Sequence, residues 1–154
     1  MQASQSALFK PPLTINHPSI ISPILDTLFR FLRPDQTPHH ARAVELLWDL
    51  SKLADIHTLE NVIAKQLANR THKQSIEAME AFGTLWRLTD EGMLPGEIFY
   101  VPILGVLDSL RSSNPDVQRS AETWMRCNLK SYFRWVNRNT LTDVVLTAEY
   151  WILC

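Results

Sequence analysis

Five histidines and two cysteines are the side chains of this 154-residue sequence best suited to metal or nucleophile chemistry, and their spacing supports neither. His39 and His40 are adjacent, so on a helix they point to different sides and do not share an ion. His17, His57 and His72 are scattered, and no His-x3-His or Cys-x2-Cys ligand spacing occurs. The plainer reading of the His39-His40 pair is a solvated helix start. Cys127 has basic neighbours in Arg126 and Lys130, a setting that can lower a thiol pKa. It lacks a histidine in any recognisable catalytic context, so a partly buried structural thiol is the expectation. No serine sits in a nucleophile elbow, and four glycines in the whole chain leave no phosphate-cradling loop. Asp90, Glu91 and Glu97 flank a predicted loop over 91–97, where carboxylates are ordinarily solvated. The sequence therefore assigns no catalytic residue, cofactor or metal.

Interaction chemistry is easier to find. Arg126, Lys130, Arg134 and Arg138 recur every fourth residue, which lines them up along one side of a helix. Such a stripe suits an acidic partner or lipid headgroups, although a solvated face is its commonest use. Trp135 follows Phe133 and Arg134 and is the best candidate for an exposed aromatic at a binding surface. Arg126, Lys130, Arg134 and Trp135 are thus the candidate interaction surface.

The elements that must carry these residues are set by a repeat. Trp48, Trp86 and Trp124 are spaced 38 residues apart, each in an apolar stretch of helical period. Each stretch follows a shorter helical one. A fixed period of that size marks stacked two-helix repeats near the HEAT/armadillo length, and the three tryptophans are the expected repeat core. Such arrays build scaffolds and binding surfaces far more often than active sites.

Residues 1–17 are polar and interrupted by prolines, and are expected to be a mobile leader. The first helix is predicted over 18–33, with Pro23 near its first turn and Pro34 closing it. Thr37-Pro38 gives an N-cap and a first-position proline for a helix over 38–54, which carries Ala43, Val44, Leu46, Leu47, Trp48, Leu50 and Leu53 on a wide apolar arc. That arc fits a helix sandwiched in a stack. Thr58 opens a third helix over 59–70, with Leu59, Val62, Ile63 and Leu67 inward and Glu60, Lys65 and Arg70 outward. Asn69-Arg70-Thr71 is formally a glycosylation sequon but reads as a helix start. Thr71-x-x-Gln74 reads as a capping box opening 72–89. A shorter helix spans 98–111, with Phe99-Tyr100-Val101 expected to stay extended before Pro102. Asn114-Pro115-Asp116 is the strongest local signal: cap, first-position proline and dipole-complementing acid, opening a helix over 115–136. A last helix, 140–153, has no partner, and its apolar face is a candidate for self-association through 140–154.

The expected fold is all-α: an α-solenoid of about three two-helix repeats, 18–136, plus an unpaired C-terminal helix in 137–154. Charge balance, 15 basic against 16 acidic residues, argues against duplex nucleic acid or an anionic membrane surface as the dominant partner. No window is apolar enough to span a bilayer, and the N-terminus lacks the pattern of a secretory signal. Two cysteines point to a reducing cytosol rather than to a secreted disulfide framework.

Several segments carry a resemblance. Glu80-Ala81-Phe82-Gly83-Thr84-Leu85-Trp86-Arg87-Leu88-Thr89-Asp90, then Leu94-Pro95-Gly96, Val101-Pro102 and Val106-Leu107-Asp108-Ser109-Leu110, look like the Dopey family. So do Glu122-Thr123-Trp124-Met125-Arg126-Cys127-Asn128-Leu129-Lys130-Ser131-Tyr132, His17-Pro18-Ser19-Ile20 and Phe31-Leu32-Arg33-Pro34-Asp35-Gln36. The likeness covers about 16–134 and is nearest to fungal members. After about Trp135 the sequence departs from the family pattern, with Asn137-Arg138-Asn139-Thr140 where another proline-bearing repeat link is expected. The resemblance implies a non-enzymatic, cytosolic, peripheral membrane scaffold of the Golgi and endosomes. It implies as partners a large scaffold related to Arf exchange factors and an aminophospholipid flippase. The alternative is a stand-alone helical-repeat adaptor with an unrelated cytosolic partner. A third reading, a small helical enzyme or lipid-transfer module, requires an internal pocket lined by polar groups.

Overall fold

The computed structural model describes residues 18–68, 71–89 and 99–135, with the backbone alone for Pro18, Ile56 and 129–135. The expected leader 1–17, the loop 91–97 and the segment 137–154 lie outside the described residues. Among the described residues six α-helices follow in order: α1 Pro18–Arg30, α2 His40–Leu53, α3 Ile56–Leu67, α4 His72–Leu88, α5 Tyr100–Ser109 and α6 Pro115–Trp135. A 3-10 turn, Pro34–His39, precedes α2. Among the described residues there is no strand.

The helices pack as three successive pairs, α1 with α2, α3 with α4 and α5 with α6. First helices stack in one row, α1 on α3 on α5, and second helices in another, α2 on α4 on α6. That two-row stack is an α-solenoid. Its core runs continuously between the rows, and its largest fully buried side chains include Leu25, Phe29, Trp48, Ile63, Phe82 and Phe99. The widest contact in the second row is α4 against α6.

Polar ties between repeats keep the period visible. Gln66 Nε2 donates to Asp26 Oδ1, Trp48 Nε1 to Thr89 Oγ1, and the Val101 N–H to Glu60 Oε1, while Asn114 Nδ2 meets His72 Nδ1; these pairs lie 40 to 42 residues apart. Each therefore joins an element to its neighbour about one repeat away.

Several local expectations need correction. Thr37 does not cap α2: its hydroxyl donates to the Pro34 carbonyl at 2.8 Å inside the 3-10 turn, and α2 starts at His40. The 3-10 turn forms because Pro34 pre-sets its first residue and Pro38 lacks the N–H an α-helix would use there. Asp55 rather than Thr58 caps α3, accepting the His57 N–H at 3.1 Å. Thr71 is the N-cap of α4, yet its hydroxyl donates to Gln74 Oε1 at 2.5 Å, so the reciprocal box is not made. Pro23 sits at the sixth position of α1, exposed, past the first turn. Phe99 is not extended. It adopts φ 70°, and α5 begins directly after it, with Pro102 in the first turn where no helical N–H is required. Asn114 does cap α6, accepting the Asp116 and Val117 N–H groups at 2.9 and 3.2 Å.

Glu60, expected to face out, is buried instead. Its Oε1 takes the Val101 N–H at the start of α5, and its Oε2 pairs with His57 Nδ1 at 3.2 Å. A carboxylate at a helix N-terminus is favoured by the helix dipole, which repays part of the cost of burying it. Lys65 is exposed, and Arg70 lies outside the described residues.

A candidate groove on the second-helix row

The three repeat tryptophans are all buried, on α2, α4 and α6, but their surroundings differ. Trp48 and Trp86 each lie 6.1 Å from the ring of Phe99. Trp124 stacks on Phe82 at 4.9 Å with the planes 16° apart. Trp48 donates its indole N–H to Thr89 Oγ1 at 3.0 Å, and the Thr89 hydroxyl donates in turn to the Leu85 carbonyl at 2.6 Å. The indole N–H of Trp124 is buried without an acceptor among the described residues. A buried donor left unmade costs roughly 1–3 kcal/mol, so it stands out from the other two.

Trp124 lines a concavity among the described residues. A groove of about 710 Å³ runs between α4 and α6 and ends on the 3-10 turn and the start of α2. Its lining includes apolar Ile76, Met79 and Leu88, Pro34 and His40 from the 3-10 turn and the start of α2, and charged Glu80, Arg87 and Arg119. Gly83 lies on its wall. A Cβ there would meet Arg87 Nη1 at 3.1 Å, Asn128 Nδ2 at 3.4 Å and Trp124 Cδ1 at 3.4 Å. Gly83 thus lets α6 approach α4 closely, with the Arg87 end group lying over it beside the Trp124 pyrrole edge. Asn128 is buried and donates Nδ2–H to the Trp124 carbonyl at 2.9 Å, which fixes the far wall. Arg87 is exposed and donates to Thr84 Oγ1 at 3.3 Å; among the described residues it has no carboxylate partner. Arg119, by contrast, is paired with Asp116 at 3.4 Å.

Of the sequence-derived interaction surface, Arg126 is exposed on α6 but does not line the groove. Lys130, Arg134 and Trp135 lie on α6 in the part where the backbone alone is described. Cys127, expected to be partly buried, is an exposed free thiol on the groove wall. It falls outside the core because the inward positions of this stretch of α6 are taken by Trp124 and Asn128. His40 binds the Arg33 carbonyl at 2.8 Å and His39 packs edge-on against Phe31, so the two rings do separate. Among the described residues, no three His, Cys, Asp or Glu side chains gather where they could hold a metal ion.

Sequence reasoning missed Gly83, Arg87 and Asn128 as a cluster. One signal was present: glycine inside a helix costs about 1 kcal/mol against alanine, so a mid-helix glycine points to a close approach.

A family model described as DOP1B-like, TPR repeats, matches residues 7–132. No curated protein and no solved structure matches the chain. TPR, HEAT and armadillo repeats are all helical units stacked in the same manner; the tryptophan spacing of 38 is longer than the usual TPR length of about 34.

Proposed function

Given that the chain belongs to the DOP1B-like TPR-repeat family, we propose that it is a non-enzymatic scaffold segment of a Dopey-like protein. It works in membrane trafficking between Golgi and endosomes through protein–protein contacts. Its partners in this reading are a large scaffold related to Arf exchange factors and, through the same assembly, an aminophospholipid flippase. Its attachment to membranes is peripheral and indirect: among the described residues no helix is long and apolar enough to cross a bilayer.

The observation that carries the reading is the groove along the second-helix row. It has an apolar lining and charges of both signs. Solenoids use such continuous surfaces to hold partner segments.

Cys127 supplies the test, because its exposed thiol lies in the groove. A C154S variant leaves it as the single cysteine. Labelled with a maleimide photo-crosslinker and irradiated in cell extract, it should capture an Arf-exchange-factor-related scaffold, identified by mass spectrometry. The control places the label on the other row, in C127S/C154S carrying Leu104→Cys, where Leu104 is 51% exposed. Capture of that scaffold from Leu104→Cys alone, or equally from both, overturns the assignment of the groove.

A further inference from the structure

The groove contains a built acceptor niche, and its parts converge on the missing side chain of Gly83. The Trp124 indole N–H is buried and unanswered among the described residues. Its neighbouring carbon, Cδ1, lies 3.4 Å from where a Gly83 Cβ would stand. The Arg87 guanidinium covers the same point at 3.1 Å and is exposed on its outer side. It carries a positive charge with no carboxylate partner among the described residues. Two donors of different kinds, one neutral and fixed, one charged and movable, thus flank the Gly83 position, which the movable end of the Arg87 side chain covers.

We propose that this niche receives a carboxylate side chain from an extended, otherwise apolar peptide segment of a protein partner. The inference rests on the scaffold reading above and names the chemistry of the contact. On arrival the carboxylate draws the Arg87 guanidinium outward and keeps its charge. The space uncovered above Gly83 lets one carboxylate oxygen accept the Trp124 N–H. Ile76, Met79 and Leu88 hold apolar residues on either side of the acid. With Asp116 balanced by Arg119, Arg87 and Glu80 leave the groove little net charge, so a single acid on an apolar strand fits better than a phosphate-rich lipid surface.

The absence of a Cβ at Gly83 is what leaves room beneath the Arg87 guanidinium. Gly83→Ala would place a methyl against Arg87 Nη1, which is the far end of a flexible side chain and can move, so the fold survives while that room is lost. Gly105→Ala is the matched control: a Cβ there meets only Leu67 at an ordinary 3.7 Å.

The experiment follows the tryptophan indole N–H signals of the full 15N-labelled chain by NMR, with Trp124→Phe identifying the Trp124 peak. The probes are a five-residue capped peptide with one glutamate between leucines, its glutamine and lysine counterparts, and phosphatidylserine vesicles. The glutamate peptide should move the Trp124 peak downfield and bind about tenfold tighter than the glutamine peptide, as expected for gaining a charge-assisted bond. Gly83→Ala and Arg87→Gln should each weaken it by about tenfold, while Gly105→Ala should bind as the parent does. The inference is overturned if the Trp124 peak stays put, if Gly83→Ala binds like the parent, or if the vesicles and not the peptide shift it. If peptides move Thr123 and Cys127 signals but not Trp124, the niche assignment fails while the groove remains a partner surface. Failure of the Cys127 crosslink would instead strike the scaffold reading itself.

Discussion

Replacing Phe99 with alanine puts the packing logic to its sharpest test. The ring is fully buried and touches three others: Phe82 at 5.4 Å, and Trp48 and Trp86 at 6.1 Å each. It is the point where all three repeats meet, because Trp48 lies on α2, Phe82 and Trp86 on α4, and Phe99 leads into α5. Truncating a buried phenylalanine costs about 3–5 kcal/mol, part of which here is aromatic pairing worth about 0.5–1.5 kcal/mol per contact. A domain of this size has about 5–15 kcal/mol in total, so the loss is a large share of its stability. The backbone adds a second, opposite effect. Phe99 holds φ 70°, a left-handed geometry that costs a residue bearing a Cβ about 1–2 kcal/mol and glycine almost nothing. Phe99→Gly makes the same truncation and releases that strain. Urea unfolding followed by tryptophan fluorescence and far-UV circular dichroism should therefore rank parent, then Phe99→Gly, then Phe99→Ala. The two variants should differ by about 1 kcal/mol, after the unfolded-state entropy of glycine is set against the strain. A loss below about 1 kcal/mol in Phe99→Ala refutes the aromatic hub, and alanine outranking glycine refutes the strained backbone.

Three further outcomes are expected. The His57 pKa is raised from 6.5, first by its hydrogen bond to Glu60 and then by attraction to Asp55. Its stabilisation is thus fully present below the ordinary histidine value and is lost as pH rises through the raised one. The urea midpoint of the parent should fall between pH 6 and 8 relative to that of His57→Gln, and parallel profiles would contradict this. Asn114→Ala removes the acceptor for two N–H groups of α6 and should cost about 1 kcal/mol by chemical denaturation; no measurable loss would show that the cap is dispensable. Deleting 137–154 should alter oligomeric state or solubility, read by light scattering, and leave the circular dichroism of the repeats intact; single-step unfolding of the whole chain would make that segment part of the core.

The sequence by itself determined the class of fold and the order of its helices. That information is local and periodic. Apolar residues at helical spacing, Asn114-Pro115 and the tryptophan spacing each report on a few neighbouring residues or on a repeat unit, and a sequence displays both. Helix boundaries drifted where two local signals competed, as at Thr37 and Thr58, because a proline-set 3-10 turn and a better-placed Asp55 won. What only the tertiary structure decided depends on residues from different repeats. Glu60 reads as a surface acid until Val101, 41 residues on, presents its N–H. Gly83, Arg87, Trp124 and Asn128 become a niche only when α6 closes on α4. Cys127 faces the groove because Trp124 and Asn128 fill the inward positions around it. Periodicity fixes which stripe of a helix turns inward. It carries no record of which neighbour that stripe meets, or of the close approach allowed where a side chain is missing, and this chain's candidate chemistry lies at that approach.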